Sequence, residues 1–485
     1  MKITITLALV LIKMSAFGQV PSNQVSNFIE TESKAWKISF SVNVPTSSDS
    51  GIVVISNNPI AVNQTFSDRV YKIGERINPS LKVLTKFQKG TQSFTLKALS
   101  ANTTYYLGFL SFNNKSNVVN YRKSDVYSVK ITTKGKNYGN YYKSLDTNRA
   151  VFLTQLTALL KNHTIRPYVD FRDIAVECQE RDTFVKDSSK KYVICDYSDQ
   201  IAIYNSPFSF SKTNFNREHT LPKNWMNFKF QTNDSLENVL EGADHHNLTF
   251  AEANVNSARS DYAMDMVTSN IVNYGKAKLN NSSTFSQRRF EPQDKYKGNA
   301  ARCKFYTMLA YNGTNNKIWG FKKDLKANAQ YQLQTVLKNW ARNDTPDNIE
   351  IARHEWIAEV QGSRNPFIDF PDWIDCINFD DITQLAACKL ETVPTTSINI
   401  VERQWDVWFH NYSQEKYILK YFLNDIENVN TTIYNLQGTP IHYEVFKGSI
   451  GENSEWLDVS KLSSGTYILH IQAGNLLKTM KLTKF

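Results

Sequence analysis

The spacing of apolar residues changes period twice along this chain, which rules out a single uniform architecture. From about Gln19 to Lys134 the apolar residues alternate or run in short blocks. Examples are Trp36-Lys-Ile-Ser-Phe-Ser-Val-Asn-Val44, Ile52-Val-Val-Ile55, Phe94-Thr-Leu-Lys-Ala-Leu99 and Tyr105-Tyr-Leu-Gly-Phe-Leu-Ser111, with Ser/Asn/Pro turns between them. That is the period of strands in an all-β sandwich. After the stretch Lys134-Gly-Lys-Asn-Tyr-Gly-Asn-Tyr-Tyr142, which reads as a linker, Val151, Leu153, Leu156, Leu159 and Leu160 mark one face of a helix. Alternation returns from about Val393 to the end. At 485 residues, 41% hydrophobic and 21% charged, the chain can bury real cores, and a disordered protein is excluded. The fold class expected is multidomain: a β-sandwich over 19–134, an α+β domain over 135–392 and a second β-sandwich over 393–485.

The first residues have the form of an export signal. Met1-Lys2 precedes an apolar run from Ile3 to Ile12, and Ala16-Phe17-Gly18 stands before Gln19. Residues 1–18 are therefore expected to be a removed signal peptide. No later run reaches the roughly eighteen apolar residues of a membrane span, so the exported chain is expected to be free of transmembrane segments; a monomer is expected as well. An oxidising destination permits disulfides. Of Cys178, Cys195, Cys303, Cys376 and Cys388, the local pairings expected are Cys178–Cys195 and Cys376–Cys388, with Cys303 left over. No CxxC spacing supports a cysteine zinc site. The formal charge of +10 favours a polyanionic partner.

Two clusters in the middle region carry the chemistry. The first is Phe215-Asn-Arg217-Glu218-His219-Thr-Leu-Pro222-Lys223. The second is Asp244-His245-His246-Asn247-Leu248, continuing through Thr249, Glu252 and Asn256 to Arg259 and Ser260. Glu and Asn oxygens suit a hard cation such as Mg²⁺, Ca²⁺ or Mn²⁺. An unligated His beside them can act as a general base. Thr249-x-x-Glu252 has the form of a capping box, which places a helix start at Thr249 and puts Glu252, Asn256 and Arg259 on one face. Metal, imidazole and cation together are what phosphodiester hydrolysis requires.

At these residues the chain resembles the endonuclease I family, exported non-specific nucleases with a ββα-metal (His-Me finger) site. Asn216 to Pro222 is similar to N-R-E-H-x-x-P, Asp244 to Leu248 to D-x-H-N-L, and Val255 to Ser260 to V-N-x-x-R-S. Gly298-Asn-Ala-Ala-Arg302-Cys-Lys-Phe-Tyr306 and Gln361-Gly-Ser-Arg364-Asn-Pro-Phe-Ile-Asp369 resemble two further blocks. The resemblance implies His219 as general base, Glu218 and Asn256 as ligands of one divalent metal, and Asp244, His246 and Asn247 as bracing residues. It also implies cleavage of DNA and RNA to 5′-phosphate ends. The arginine that usually grips the scissile phosphate between the two clusters is missing, since 220–243 holds only Lys223 and Lys229 as cations. The phosphate role is therefore assigned first to Arg259, then to Arg364, with Arg217 and Lys223 as further contacts. Arg302 is expected in a buried ion pair.

The flanks carry resemblances of their own. Leu99-Ser-Ala-Asn-Thr-Thr-Tyr-Tyr106 is similar to the late-strand signature of fibronectin type III domains. Asn435-Leu-Gln-Gly438 and Leu462-Ser-Ser-Gly465-Thr-Tyr467 resemble the sorting domain of type IX secretion substrates, which implies the secretion machinery as a partner and a secreted or outer-surface location. The competing class is a surface adhesin or glycan-binding protein on a degenerate nuclease-like scaffold. A carbohydrate hydrolase would need a paired-carboxylate site, which the sequence does not single out. His354-Glu355 begins the zincin pattern, but Ala358 stands where its second histidine belongs.

Overall fold

The structure, a computed structural model, describes residues 20–484 except 61–65, 79–80, 116–117, 147–148, 165, 183–189, 206, 227–239, 284–286, 386–406, 414–415, 424–426, 449–450 and 474–475. The expected signal peptide and Lys229 lie outside the described residues. Contacts divide the chain into two compact units, one running essentially to Ser397 and one holding Ile398–Phe485.

The alternating first region forms β1 (Ser26–Ser33), β2 (Ile38–Val44), β3 (Ser50–Ser56), β4 (Arg76–Asn78), β5 (Leu81–Gln88), β6 (Gly90–Leu96), β7 (Thr104–Lys115), β8 (Val118–Tyr121) and β9 (Tyr127–Thr132). One sheet has the order β1-β2-β6, and the other the order β4-β5-β3-β7-β8 with β9 also on β7. Period-2 patterning turns Ile38, Phe40, Val42 and Val44 of β2 inward. Phe40 meets Phe109 of β7 edge-on at 6.0 Å, so the two sheets share an interior.

The link between this region and the middle of the chain is more than a tether. Ala35, Trp36 and Ala101 belong to the same buried cluster as Tyr142, Phe152 and Ile174. The Ala98 and Ala101 amides donate to the Glu177 and Asn348 carbonyls, both at 2.9 Å, and Lys34 pairs with Glu359 at 2.6 Å. The expected linker is likewise packed. Tyr138 and Tyr142 lie against Phe370 at 5.1 and 5.3 Å, and the Asn137 amide donates to Glu355. Its Gly and Asn content suggested a loose joint, but its tyrosines bury.

In the middle region α1 (Arg149–Lys161) buries Phe152, Leu156 and Leu160 and packs Leu153 and Leu159 partly buried on the same core, so of the expected face Val151 alone is exposed. Next in the chain are β10 (Arg181–Asp182), β11 (Lys190–Ile194), β12 (Ile201–Asn205), β13 (Phe215–His219), α2 (Leu240–Ala243), β14 (Leu248–Glu252) and α3 (Ala253–Arg259). After them come β15 (Ser269–Tyr274), β16 (Ala277–Asn281), β17 (Arg288–Glu291), α4 (Asp294–Tyr311), α5 (Gln334–Asn343), α6 (Asn348–Gln361) and α7 (Pro366–Asp369). Helix α4 is buried nearly all round and forms the spine of this core. Gly298 allows its approach to the end of α5, since a Cβ there would stand 1.9 Å from the Asp344 carbonyl oxygen.

Two cysteine expectations meet different outcomes. Cys178 and Cys195 are free and buried. Cys178 Sγ faces the Ala352 carbonyl and Cys195 Sγ accepts the Glu252 amide, so each thiol already has its own partner. Cys303 is free as expected. Cys376 is disulfide-bonded, and its expected partner Cys388 lies outside the described residues.

The C-terminal unit has a sheet of Val407–Ser413, Lys416–Leu423 and Gly451–Asp458, and a second of Pro440–Gly448, Glu427–Tyr434, Gly465–Ala473 and Leu476–Lys484. Leu419, Tyr421, Val429, Leu457 and Leu469 draw one core from both sheets. At the hairpin Asn435-Leu-Gln-Gly438, the Asn435 side chain accepts the Gln437 and Thr439 amides. Gly438 supplies the φ of 81° that closes the turn. Among the described residues no helix is long and apolar enough to cross a membrane.

Because Trp36 is 4% exposed and sits in the shared cluster, Trp36→Ala is expected to destabilise the first region by about 3 kcal/mol. Thermal unfolding followed by near-UV circular dichroism should show the middle region losing stability with the first. An unchanged middle transition would mean that the two are energetically independent.

Candidate active site

Two antiparallel strands and the helix that follows them bring the sequence clusters together. β13 pairs with β14 so that Glu218 faces Thr249 and His219 faces Leu248, and α3 packs on both strands. The helix does not start at Thr249. That residue stays in the strand with its hydroxyl bonded to the Asp196 carboxylate. Glu252 is itself the N-cap, accepting the Asn254 and Val255 amides at 3.1 and 3.2 Å. The β-bonding partner of Thr249 outweighs the local capping signal.

Adjacent strand residues point to opposite sides, and β13 ends at the pair in question. His219 is 8% exposed, and its Nε2 lies 2.7 Å from the Gly242 carbonyl. Its ring stacks on Tyr168 at 5.6 Å with the planes 7° apart. A carbonyl can only accept, so Nε2 carries the proton and Nδ1 is the basic nitrogen. Burial pulls the imidazole pKa down to about 4, against a smaller opposite pull from the Gly242 carbonyl, so the ring is neutral at pH 7. Glu218 is 9% exposed. Burial raises its carboxyl to about 7, with Arg259 pulling back. Glu218 Oε1 is buried without a hydrogen bond among the described residues, and Arg259 Nε stands 3.5 Å away. Asn256, on α3, is half-buried.

The strand exit is clamped. Asn247 accepts the Leu221 amide at 2.8 Å and donates to the Leu221 carbonyl at 3.2 Å, while its own carbonyl takes the Thr220 amide. The turn holding Asn247 hangs on Asp244, which is 2% exposed. Asp244 accepts from Tyr306 at 2.9 Å, Tyr311 at 2.7 Å, Gln361 at 2.8 Å and the His246 amide at 2.9 Å. Burial would raise its pKa, but His163, His246 and these donors outweigh it and hold the carboxyl below the usual range. His246 points its Nε2 at the Ser363 carbonyl, 3.1 Å away. His245 is fully buried beside Trp356 and Phe171.

The expected phosphate cations do not share one location. Arg259 is fully buried and donates to the Thr220 and Ser260 carbonyls at 2.6 and 2.8 Å. It ties the end of α3 to the loop after His219 and has no surface for a phosphate. Arg364, 4% exposed, is spent on Asp369, Glu355 and the Asn137 carbonyl. Both sequence assignments are corrected on that ground: each guanidinium satisfies buried oxygens. Arg217 lies 4.4 Å over the Tyr168 ring and 4.7 Å over Phe210. Lys223 is exposed, and its charge reaches both Glu218 and His219. Arg302 makes the expected buried pair, with Glu350.

His354, Glu355 and Asp369 also converge closely enough to suggest a metal centre. The Arg364 guanidinium bonds both carboxylates, so the cation of that cluster is already part of the chain. The residues that sequence reasoning missed are Tyr168, Tyr306, Tyr311 and Gln361. Tyr306 and Gln361 stand in the two outlying motif blocks without a role assigned there, and Tyr168 and Tyr311 lie outside the motifs with no local pattern to mark them.

Residues 150–372 match the family described as Endonuclease I, and residues 413–484 match the Secretion system C-terminal sorting domain. Two curated relatives are both "Extracellular ribonuclease". One, from Bacillus subtilis (strain 168), is 34% identical over 165 residues, covering 33% of this chain and 53% of its own length. The other, from Bacillus amyloliquefaciens, is 35% identical over 165 residues with the same coverage. The chain thus spans about half the length of the curated relatives it matches. A solved structure, "Biofilm associated protein - BSP domain", aligns with 97% of this chain and 84% of its own at 10% identity and a TM-score of 0.13, which says nothing about fold. A sorting tail together with extracellular relatives makes this a secreted or cell-surface protein.

His245 provides a pH test of this packing. Burial lowers its pKa to about 4, while unfolding returns it to the ordinary value near 6.5. Below that value the unfolded chain binds the extra proton, so stability present above pH 6.5 is lost as pH falls toward 4. His245→Phe should remove about 1.4 kcal/mol of this loss per pH unit. Urea unfolding of both proteins from pH 7 to 4.5 measures it, and a constant difference between them would contradict the buried neutral imidazole.

Proposed function

We infer that this chain, which carries an endonuclease I domain and a type IX sorting domain, is an exported endonuclease that hydrolyses phosphodiester bonds of DNA and RNA. The observation that carries the reading is the exit of β13. A neutral imidazole there has Nε2 fixed on the Gly242 carbonyl, beside a buried carboxylate oxygen that has no hydrogen bond among the described residues. The family name supports endonucleolytic cutting, and the relatives named ribonucleases support RNA as one substrate.

His219 acts as the general base, with Nδ1 taking the proton of the attacking water while Tyr168 and Gly242 keep the ring in place. Glu218 and Asn256 are the residues that would hold a divalent metal. The orphaned Glu218 Oε1 is the fit expected of an oxygen ligand for Mg²⁺, with Ca²⁺ or Mn²⁺ as further choices. When bound, such an ion supplies neutralising charge to the phosphate and its leaving group. Arg259 positions Glu218 and the Thr220 carbonyl from behind. Asp244, His246 and Asn247 fix the turn opposite. Lys223, exposed at the rim, contacts phosphate, and Arg217 orders the aromatic wall of the site. Contacts to phosphate and sugar carry no base information, so little sequence preference is expected, and the resemblance to the family implies 5′-phosphate ends. The N-terminal two-sheet region is read as fibronectin type III-like.

The test uses the full exported chain on plasmid DNA and on RNA, with Mg²⁺, Mn²⁺ or Ca²⁺ and with EDTA. Metal-dependent cutting of both is expected, and His219→Ala should lower the rate by about 10²–10⁴-fold. No cutting with any of the three ions overturns the reading. Cutting that survives His219→Ala keeps the class and removes His219 as the base.

A further inference from the structure

We propose that Lys223, Lys326, Lys323 and Lys317 form a cationic track for the phosphodiester backbone of the strand being cut, an assignment that rests on the nuclease reading above. The need for such a track follows from the fate of the arginines. Arg259 and Arg364 are turned inward and spent on buried oxygens, so the surface beside His219 must draw its positive charge from elsewhere.

The segment 317–326 is tied to the site at its end by a direct backbone bond, and its start is held to the same segment by the Asp324 amide on the Ile318 carbonyl at 3.1 Å. The Lys326 amide donates to the Trp225 carbonyl at 3.1 Å, and Trp225 closes the short helical turn Lys223–Trp225 that follows the exit of β13. Trp319, Phe321 and Leu325 are buried and pin the segment to the core, while Lys317, Lys323 and Lys326 are exposed. Anchors and cations therefore point opposite ways. None of the four track lysines has an ion-pair or hydrogen-bond partner for its ammonium among the described residues. Lys322 differs, because it is paired with Asp380 at 2.9 Å. The nearby acids are engaged: Asp324 accepts the Ile318 amide at 2.7 Å, and Asp261 accepts the Asn328 side chain at 2.9 Å.

Spacing suits the ligand. Lys323 and Lys326 are three positions apart in the chain, a reach of at most about 10 Å. A strand offers a charge every 3.4 Å or so of duplex axis, so neighbouring lysines can each meet a different phosphate. A flexible ammonium acts as a point charge and needs no base-specific geometry, in keeping with a track that accepts any sequence.

Fluorescence anisotropy of labelled 12-nucleotide DNA and RNA in EDTA reads this without cleavage. The full exported chain is compared with its Lys317→Gln/Lys323→Gln/Lys326→Gln variant across a KCl series, with thermal unfolding to verify an unchanged fold. Each lost single-strand contact should flatten the log–log salt slope by about 0.7, so the triple variant should lose about 2 and bind roughly tenfold or more weakly at low salt. Equal losses on DNA and RNA support the track. Wild-type affinity and slope in the variant overturn it, as does a loss confined to one polymer, because the phosphates are common to both. Since the measurement needs no turnover, a wild type that binds yet never cuts counts against the nuclease reading alone.

Discussion

The arrangement depends on one buried carboxylate. Asp244 sits in the turn before β14 and is met by two tyrosine hydroxyls from α4, a glutamine at the end of α6 and a backbone amide of its own turn. A charge taken out of water is tolerated only when nearly every lone pair is answered. Answering it forces α4, α6 and the turn into one relative position. The turn then presents Asn247 to both polar groups of Leu221, which sets where the chain leaves His219. The geometry of the candidate base is thus inherited from a carboxylate that does not face substrate.

Around that anchor, the site separates two kinds of positive charge. Guanidinium groups, with their fixed fork of donors, go inward: Arg259 to the Thr220 and Ser260 carbonyls, Arg302 to Glu350, Arg364 to Asp369 and Glu355, and Arg353 to the His245 carbonyl at 3.1 Å. They are suited to this because several buried oxygens can be satisfied by one side chain. Ammonium groups mostly stay at the surface, with Lys304 as an exception. It is fully buried, bonded to Gln332 at 2.9 Å and lies over the Trp225 ring. A basic composition therefore says little about which residues meet an anionic ligand until burial is known.

The ends of the chain differ in their relation to this core. The first two sheets contribute Ala35, Trp36 and Ala101 to the cluster that also holds the middle region's tyrosines and tryptophans. Hydrogen bonds reach from their loops to Glu177 and Asn348. The last unit has a core of its own, with Lys484 in the final strand reaching back to the Val459, Ser460 and Leu462 carbonyls.

Local pattern determined much. The period of apolar residues marked the β-rich ends and the helical start of the middle region, and the two motif clusters marked His219, Glu218, Asn256, Asp244 and Asn247. These were legible because strand alternation, helix periodicity and short motifs are properties of neighbours in sequence. Tertiary structure decided what depends on distant partners. It kept Thr249 in a strand because Asp196 takes its hydroxyl. It gave Cys178 and Cys195 separate partners, packed the supposed linker by its tyrosines, and brought Tyr168 onto His219. It also turned Arg259 and Arg364 inward. Whether an arginine meets solvent or a buried carbonyl is fixed by oxygens contributed from other parts of the chain, and no local spacing in the sequence encodes that burial.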